Sequence, residues 1–308
     1  DVMTWVRPFV RGGPRAGEGR YTLDNLQLAT EATGMVPLLM LGMAVHDIDE
    51  QIAILKEAER KGLPIRYLEL GNELVFENAE PLLERKFPDA ETYGRIASEW
   101  IEKLRVAFPE AKIAACGTFV GSDSQSERRR TWNPRMLTTL RGTEILTTHL
   151  YAGEIVRTER ERAGLTEVQA QQGLTAEEQA ARAAPITSES VAATISLAYS
   201  VWDTLLAKSI VPPDKQLWVT EWSTGGVGGG GNQWQTSLVT AALLDAFLRT
   251  NVTLTSHHTM GSVFNRAGGR GGAAAAGVAV DPIDQLNATG IVLRPFALAT
   301  RGLTRATE

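Results

Sequence analysis

Residues 65 to 73 read IRYLELGNE, an apolar run of strand character that stops on a glycine, an asparagine and a carboxylate. Alternation along a strand places Glu69, Gly71 and Glu73 on one face and Leu68, Leu70 and Asn72 on the other. Glu73 then closes the carboxyl end of the strand. In parallel α/β barrels that end opens to solvent and carries the site. Gly71 leaves room for another group to approach the backbone. Glu69 should point inward, where a charge requires a partner, and is expected to be paired and structural.

On both sides of this strand the chain repeats one unit, an apolar run of strand length followed by a longer amphipathic segment. The helix TLDNLQLATEATG precedes the strand MVPLLMLGM, and DIDEQIAILKEAERKG leads into IRYLELGNE. Then come the helix AETYGRIASEWIEKLRVAF, the strand KIAACGTF, a short helix WNPRMLTTLRG and the strand EILTTHLY. The stretch from Glu154 to about Pro185 reads as a helical insertion, and SESVAATISLAYSVWDTLLAKS as a helix before the strand QLWVTEWS. A glycine-rich loop, GGVGGGG, separates that strand from the helix NQWQTSLVTAALLDAFLRT. The strand NVTLTSHH, a second loop RAGGRGGAAAAG and a helix around TGIVLRPFALATRG follow. This pattern predicts six strands in βα order, with DVMTWVRPFV as a candidate seventh. The fold class is α/β, a (β/α)8 TIM barrel short of one or two N-terminal βα units, read as a single domain over residues 1–308.

The 308 residues are enough for a full core, and 43% hydrophobic with 22% charged residues is a globular rather than a disordered composition. A net charge of -5, spread over both signs, gives no footprint for nucleic acid or anionic lipid. The basic cluster Arg128 to Arg130 falls in the polar stretch GSDSQSERRRTWNP and is expected to be a solvated loop. The single cysteine, Cys116, excludes an intrachain disulfide and reads as a small buried hydrophobe. No leader-like segment or bilayer-length apolar run is read, so a soluble protein is expected, cytoplasmic or secreted after loss of its signal. Nothing in the sequence fixes an oligomeric state.

A second carboxylate, Glu221, ends the apolar run of QLWVTEWS, on the face of Leu217 and Val219, and again precedes a polar, glycine-rich stretch. Each glutamate alone reads equally well as a surface charge opening a loop. Together, at the same end of two apolar strands, they match what glycosidic cleavage requires: one acid to protonate the leaving oxygen and one carboxylate on the far side of the anomeric carbon.

Asn72 and Glu73 closing one strand, with Glu221 closing the third strand after it, resemble the clan A glycoside hydrolases. These are retaining enzymes on a (β/α)8 barrel, with the acid/base after strand four and the nucleophile after strand seven. The phrases ELGNE, WNPRML and HLY are most similar to the α-L-arabinofuranosidase group and its glucuronidase and xylosidase neighbours, over roughly residues 20 to 300. The resemblance implies Glu73 as general acid/base and Glu221 as nucleophile. It implies Asn72 as the partner of the sugar 2-hydroxyl, and Tyr151, on the face of His149, as a donor to Glu221. It implies a carbohydrate substrate and no cofactor. The group's accessory β-sandwich and complete first strands are not visible in this chain. A catalytically silent carbohydrate-binding barrel, or a fragment of a glycosidase, is therefore the rival reading.

Further candidates attach to this site. Of His257 and His258 only one can face the barrel axis, and His257 is taken as the substrate-binding one, with loop packing as its alternative. Trp222 could stack on a sugar ring or pack in the core. Trp5 and Arg7 are weak candidates for support of the nucleophile. GGVGGGG lacks the Lys-Ser/Thr of a phosphate loop. The four histidines show no metal-ligand spacing, so no metal is expected.

Overall fold

The computed structural model describes residues 23–76, 85–121, 125–151, 188–224, 233–258 and 288–300. The candidate first strand with Trp5 and Arg7, the insertion after Glu154 and both glycine-rich loops lie outside the described residues. The described chain runs α1 (Leu23–Thr33), β1 (Leu38–Leu41), α2 (Ile48–Arg60), β2 (Tyr67–Leu70), α3 (Ala90–Ala107), β3 (Lys112–Cys116) and α4 (Glu127–Thr139). It continues β4 (Ile145–Tyr151), α5 (Ser188–Ser209), β5 (Gln216–Ser223), α6 (Gln233–Leu248), β6 (Val252–His257) and α7 (Ala288–Thr300). The six expected strands are all present, and form one sheet in chain order.

Strands β1 to β4 pair in parallel, with Leu39 opposite Leu68, Leu68 opposite Ile113 and Ala115 opposite Leu146. Gln216 N, at the start of β5, donates to Glu144 O just before β4, and His258 N donates to Trp222 O at the far ends of β6 and β5. Like ends therefore meet like ends along the series. Among the described residues no helix is long and apolar enough to cross a membrane.

Local chemistry sets the helix ends. Asp47 caps α2 by accepting from Glu50 N at 2.8 Å, and Gly62, at φ 86°, takes the left-handed turn that ends it. Asp89 caps α3 by accepting from Thr92 N at 2.7 Å, and that N–H holds the Asp89 carboxyl below its ordinary range. Along α3 the side chains Tyr93, Ala97, Trp100, Ile101 and Leu104 recur at helical spacing and are all buried.

Packing divides the chain into two compact units, residues 1–148 with 208–218, and residues 149–207 with 219–308. In the first, Leu39, Leu41, Leu68, Leu70 and Ile113 of the strands are buried, as are Tyr93, Trp132 and Met136 of the helices. Helices α3 and α4 approach closely at Gly94, where an added Cβ would come within 2.3 Å of Thr139 Oγ1 and 2.7 Å of the Met136 carbonyl. In the second unit, Phe247 of α6 receives both Trp202 and Trp222 edge-on, at ring separations of 4.8 and 5.2 Å.

Helix α4 starts five residues earlier than the sequence predicts, and the ERRR stretch forms its first turns rather than a solvated loop. Ser126 caps it by accepting from Arg129 N. Arg128 lies over Trp132 one turn on, at 4.7 Å from the ring centroid, and Arg129 over Phe76 at 4.8 Å. Only Arg130 of the three is exposed.

Candidate active site

The first component is the turn at the carboxyl end of β2. The strand ends at Leu70, earlier than alternation suggested, because Gly71 leaves the extended region at φ 86°. Glu73 is itself left-handed, at φ 49°. That conformation costs a non-glycine residue roughly 1–2 kcal/mol, so the aim of its carboxyl is set by the turn and not by strand alternation. Phe76 N closes the turn onto Glu73 O at 3.1 Å. Leu74 folds back over Gly71, where a Cβ would lie 2.5 Å from Leu74 Cδ1 and would displace that side chain, and the positive φ itself strains any residue but glycine. Glu73 is half-buried and Asn72 exposed.

Buried polar groups fasten the strand ends behind this turn. The Tyr93 hydroxyl donates to Leu70 O at 2.8 Å and accepts from Cys116 N at 2.6 Å, joining the last residues of β2 and β3. Trp132 Nε1 donates to Cys116 O. Asn133 accepts from Thr118 N and donates to the carbonyls of Thr118 and Ser209. Trp132 and Asn133 of the WNP segment thus shape the loop after β3. Glu69 is buried, as expected. Burial first, then the charge of Glu69, pushes the Cys116 thiol up to about 12.

The second component lies at the carboxyl ends of β4 and β5. Tyr151 donates its hydroxyl to Glu221 Oε2 at 2.6 Å, the length of a strong hydrogen bond to a carboxylate. His149, on the same face of β4, brings Nδ1 to 3.8 Å from the same oxygen. The Glu221 side chain remains 29% exposed while His149 is 11% exposed, so the carboxylate is both held and reachable. The three residues expected to gather on this rim are together.

The two terminal histidines lie in different surroundings, and His257 takes the packing alternative. His257 packs edge-on against Trp222 at 5.0 Å, and both of its ring nitrogens are buried without a hydrogen-bond partner among the described residues. Burial, and secondarily His258, lowers its pKa. His258 instead stands edge-on to Tyr151 at 5.8 Å and is exposed. The pairing of His258 N with Trp222 O fixes this register and turns the side chain of His257 to the Trp222 side of the strand. Trp222 itself is 1% exposed, which makes it a core residue and not a sugar platform. Alternation named the pair, and only long-range register chooses which of them stands beside Tyr151.

No protein-family model and no curated protein matches the chain. Among solved structures it is similar to an α-L-arabinofuranosidase from Thermotoga maritima, determined with arabinose. The identity is 15% over 79% of this chain and 47% of that chain, with a TM-score of 0.45. It is also similar to a family 51 α-L-arabinofuranosidase from Bifidobacterium longum, at 14% identity over 79% of this chain and 50% of that chain, TM-score 0.48. Fungal β-1,4-galactanases match at 12% identity over 78% of this chain and 73% of that chain, TM-score 0.44. The chain spans about half the length of the arabinofuranosidases it matches.

Proposed function

We propose that this chain is a retaining glycoside hydrolase on a (β/α)8-type barrel domain, with α-L-arabinofuranosides as the first substrates to test. The observation that carries the reading is the 2.6 Å hydrogen bond from Tyr151 to Glu221, which fixes a reachable carboxylate at the end of an apolar strand. The left-handed backbone at Glu73 supports it, since a costly conformation kept at a strand tip is typical of functional positions.

In the proposed reaction a Glu221 oxygen bonds to the anomeric carbon as the bond to the leaving oxygen breaks, and Glu73 gives that oxygen its proton. Water then attacks the glycosyl-enzyme ester at the anomeric carbon, Glu73 takes the water's proton, and Glu221 leaves as carboxylate. One carboxyl must be protonated while the other is ionised, and the two act from different strand ends. Tyr151 holds the attacking carboxylate, Asn72 meets the sugar 2-hydroxyl, and His149 and His258 line the rim.

The test is turnover of nitrophenyl glycosides by the wild type, Glu73→Ala and Glu221→Ala, with and without azide. The expected result is activity in the wild type, loss in both variants, and a glycosyl azide of inverted anomeric configuration from Glu221→Ala. Undiminished turnover by Glu221→Ala sinks the nucleophile assignment. Sugar binding without turnover in the wild type identifies a silent carbohydrate-binding barrel instead.

A further inference from the structure

Arg128 makes more contacts with the candidate acid/base turn than a surface arginine needs. Its Nη2 donates to Leu74 O at 3.0 Å and Phe87 O at 2.8 Å, its Nε to Val75 O at 3.1 Å, and its Nη1 to Pro88 O at 2.7 Å. Two of these carbonyls directly follow Glu73 in the chain, and two belong to the segment that leads into α3. None lies in a strand ladder or a helix, so each needs a donor from elsewhere. The guanidinium is braced from below by the Trp132 ring, and that indole is tied to the end of β3 through Cys116 O. The neighbouring Arg129 covers Phe76 and donates to Phe119 O, closing the other side of the same turn.

From this geometry we infer that Arg128 is a positioning residue for Glu73: it fastens the strained turn so that the Glu73 carboxyl is presented in one orientation. The inference rests on the assignment of Glu73 as acid/base. The planar fork is what the four acceptors require. A lysine has the charge and three donors but neither the spread nor the flat face that stacks on Trp132.

Leaving groups separate positioning from general stability. A 2,4-dinitrophenyl glycoside departs without a proton, whereas a phenyl glycoside needs one from the acid. With aryl α-L-arabinofuranosides, Glu73→Gln should lose far more glycosylation rate on the phenyl substrate than on the dinitrophenyl one. Arg128→Ala and Arg128→Lys should show the same bias, with about 10- to 100-fold loss on the phenyl substrate, the scale of an ångström-sized misplacement. Equal loss on both substrates, together with a lowered thermal midpoint, makes Arg128 merely structural and overturns the inference. A Glu73→Gln variant without the bias overturns the acid/base assignment instead. Hydrogen exchange of the 71–76 segment needs no turnover: Arg128→Lys should lower its protection while the β3 segment stays unchanged, and unchanged protection in 71–76 refutes the clamp.

Discussion

The hydroxyl of Tyr151 and the carboxylate of Glu221 meet at 2.6 Å, a contact that joins the ends of β4 and β5. A hydrogen bond to a charged group contributes about 1.5–3 kcal/mol, which is roughly 10- to 100-fold in rate where the bond matters to the reacting state. Tyr151→Phe should therefore cut the glycosylation rate by that factor. Single-turnover kinetics with a nitrophenyl substrate measure it, and an unaltered rate removes Tyr151 from the machinery.

The paired histidines should separate function from folding. His258→Ala, at the exposed rim beside Tyr151, should raise KM or lower kcat with little effect on stability. His257→Ala, against Trp222, should lower stability through lost packing. Steady-state kinetics and thermal melts on the two variants give the comparison, and the reverse pattern contradicts the register.

His257 also makes a prediction about pH. Burial, then His258, lowers its pKa, so the folded chain holds the neutral ring and the unfolded chain takes up a proton first. Its contribution is complete above the unfolded value of about 6.5 and is lost as pH falls below it toward the depressed folded value. Between about pH 6.5 and 5 the midpoint of the wild type should fall more steeply than that of His257→Phe. Parallel curves disprove the assignment.

Gly94 sets two effects against each other. Replacing a mid-helix glycine by alanine ordinarily stabilises by up to about 1 kcal/mol. Here the new Cβ would meet Thr139 Oγ1 at 2.3 Å and the Met136 carbonyl at 2.7 Å, and the latter cannot rotate away. Overpacking costs about 1–3 kcal/mol, so Gly94→Ala should be net destabilising in chemical denaturation.

Five of the six strands were legible as apolar runs bounded by breakers, β6 as an alternating β-branched run, and Glu221 and Tyr151 were legible because they sit inside such runs, where alternation holds. Legibility failed where long-range contacts decide. Strand β2 stops at Leu70, and the left-handed backbone at Gly71 and Glu73 is not a period-two feature. The start of α4 looked like a polar loop because the groups that satisfy Arg128 are carbonyls 40 to 54 positions away. The spacing of Arg128 and Trp132, four apart on one helix face, was the available local signal. Tyr93 gave none, since its hydroxyl lies on the buried side of an ordinary amphipathic helix.

The positive φ at Glu73 has an evolutionary corollary. Asparagine tolerates that backbone better than glutamate does, so Glu73→Asn should yield a chain that melts no lower than the parent yet loses most of its turnover of phenyl glycosides. On the proposed assignment, drift toward a more robust scaffold would erase this glutamate first, so its retention would reflect selection for the reaction rather than for folding.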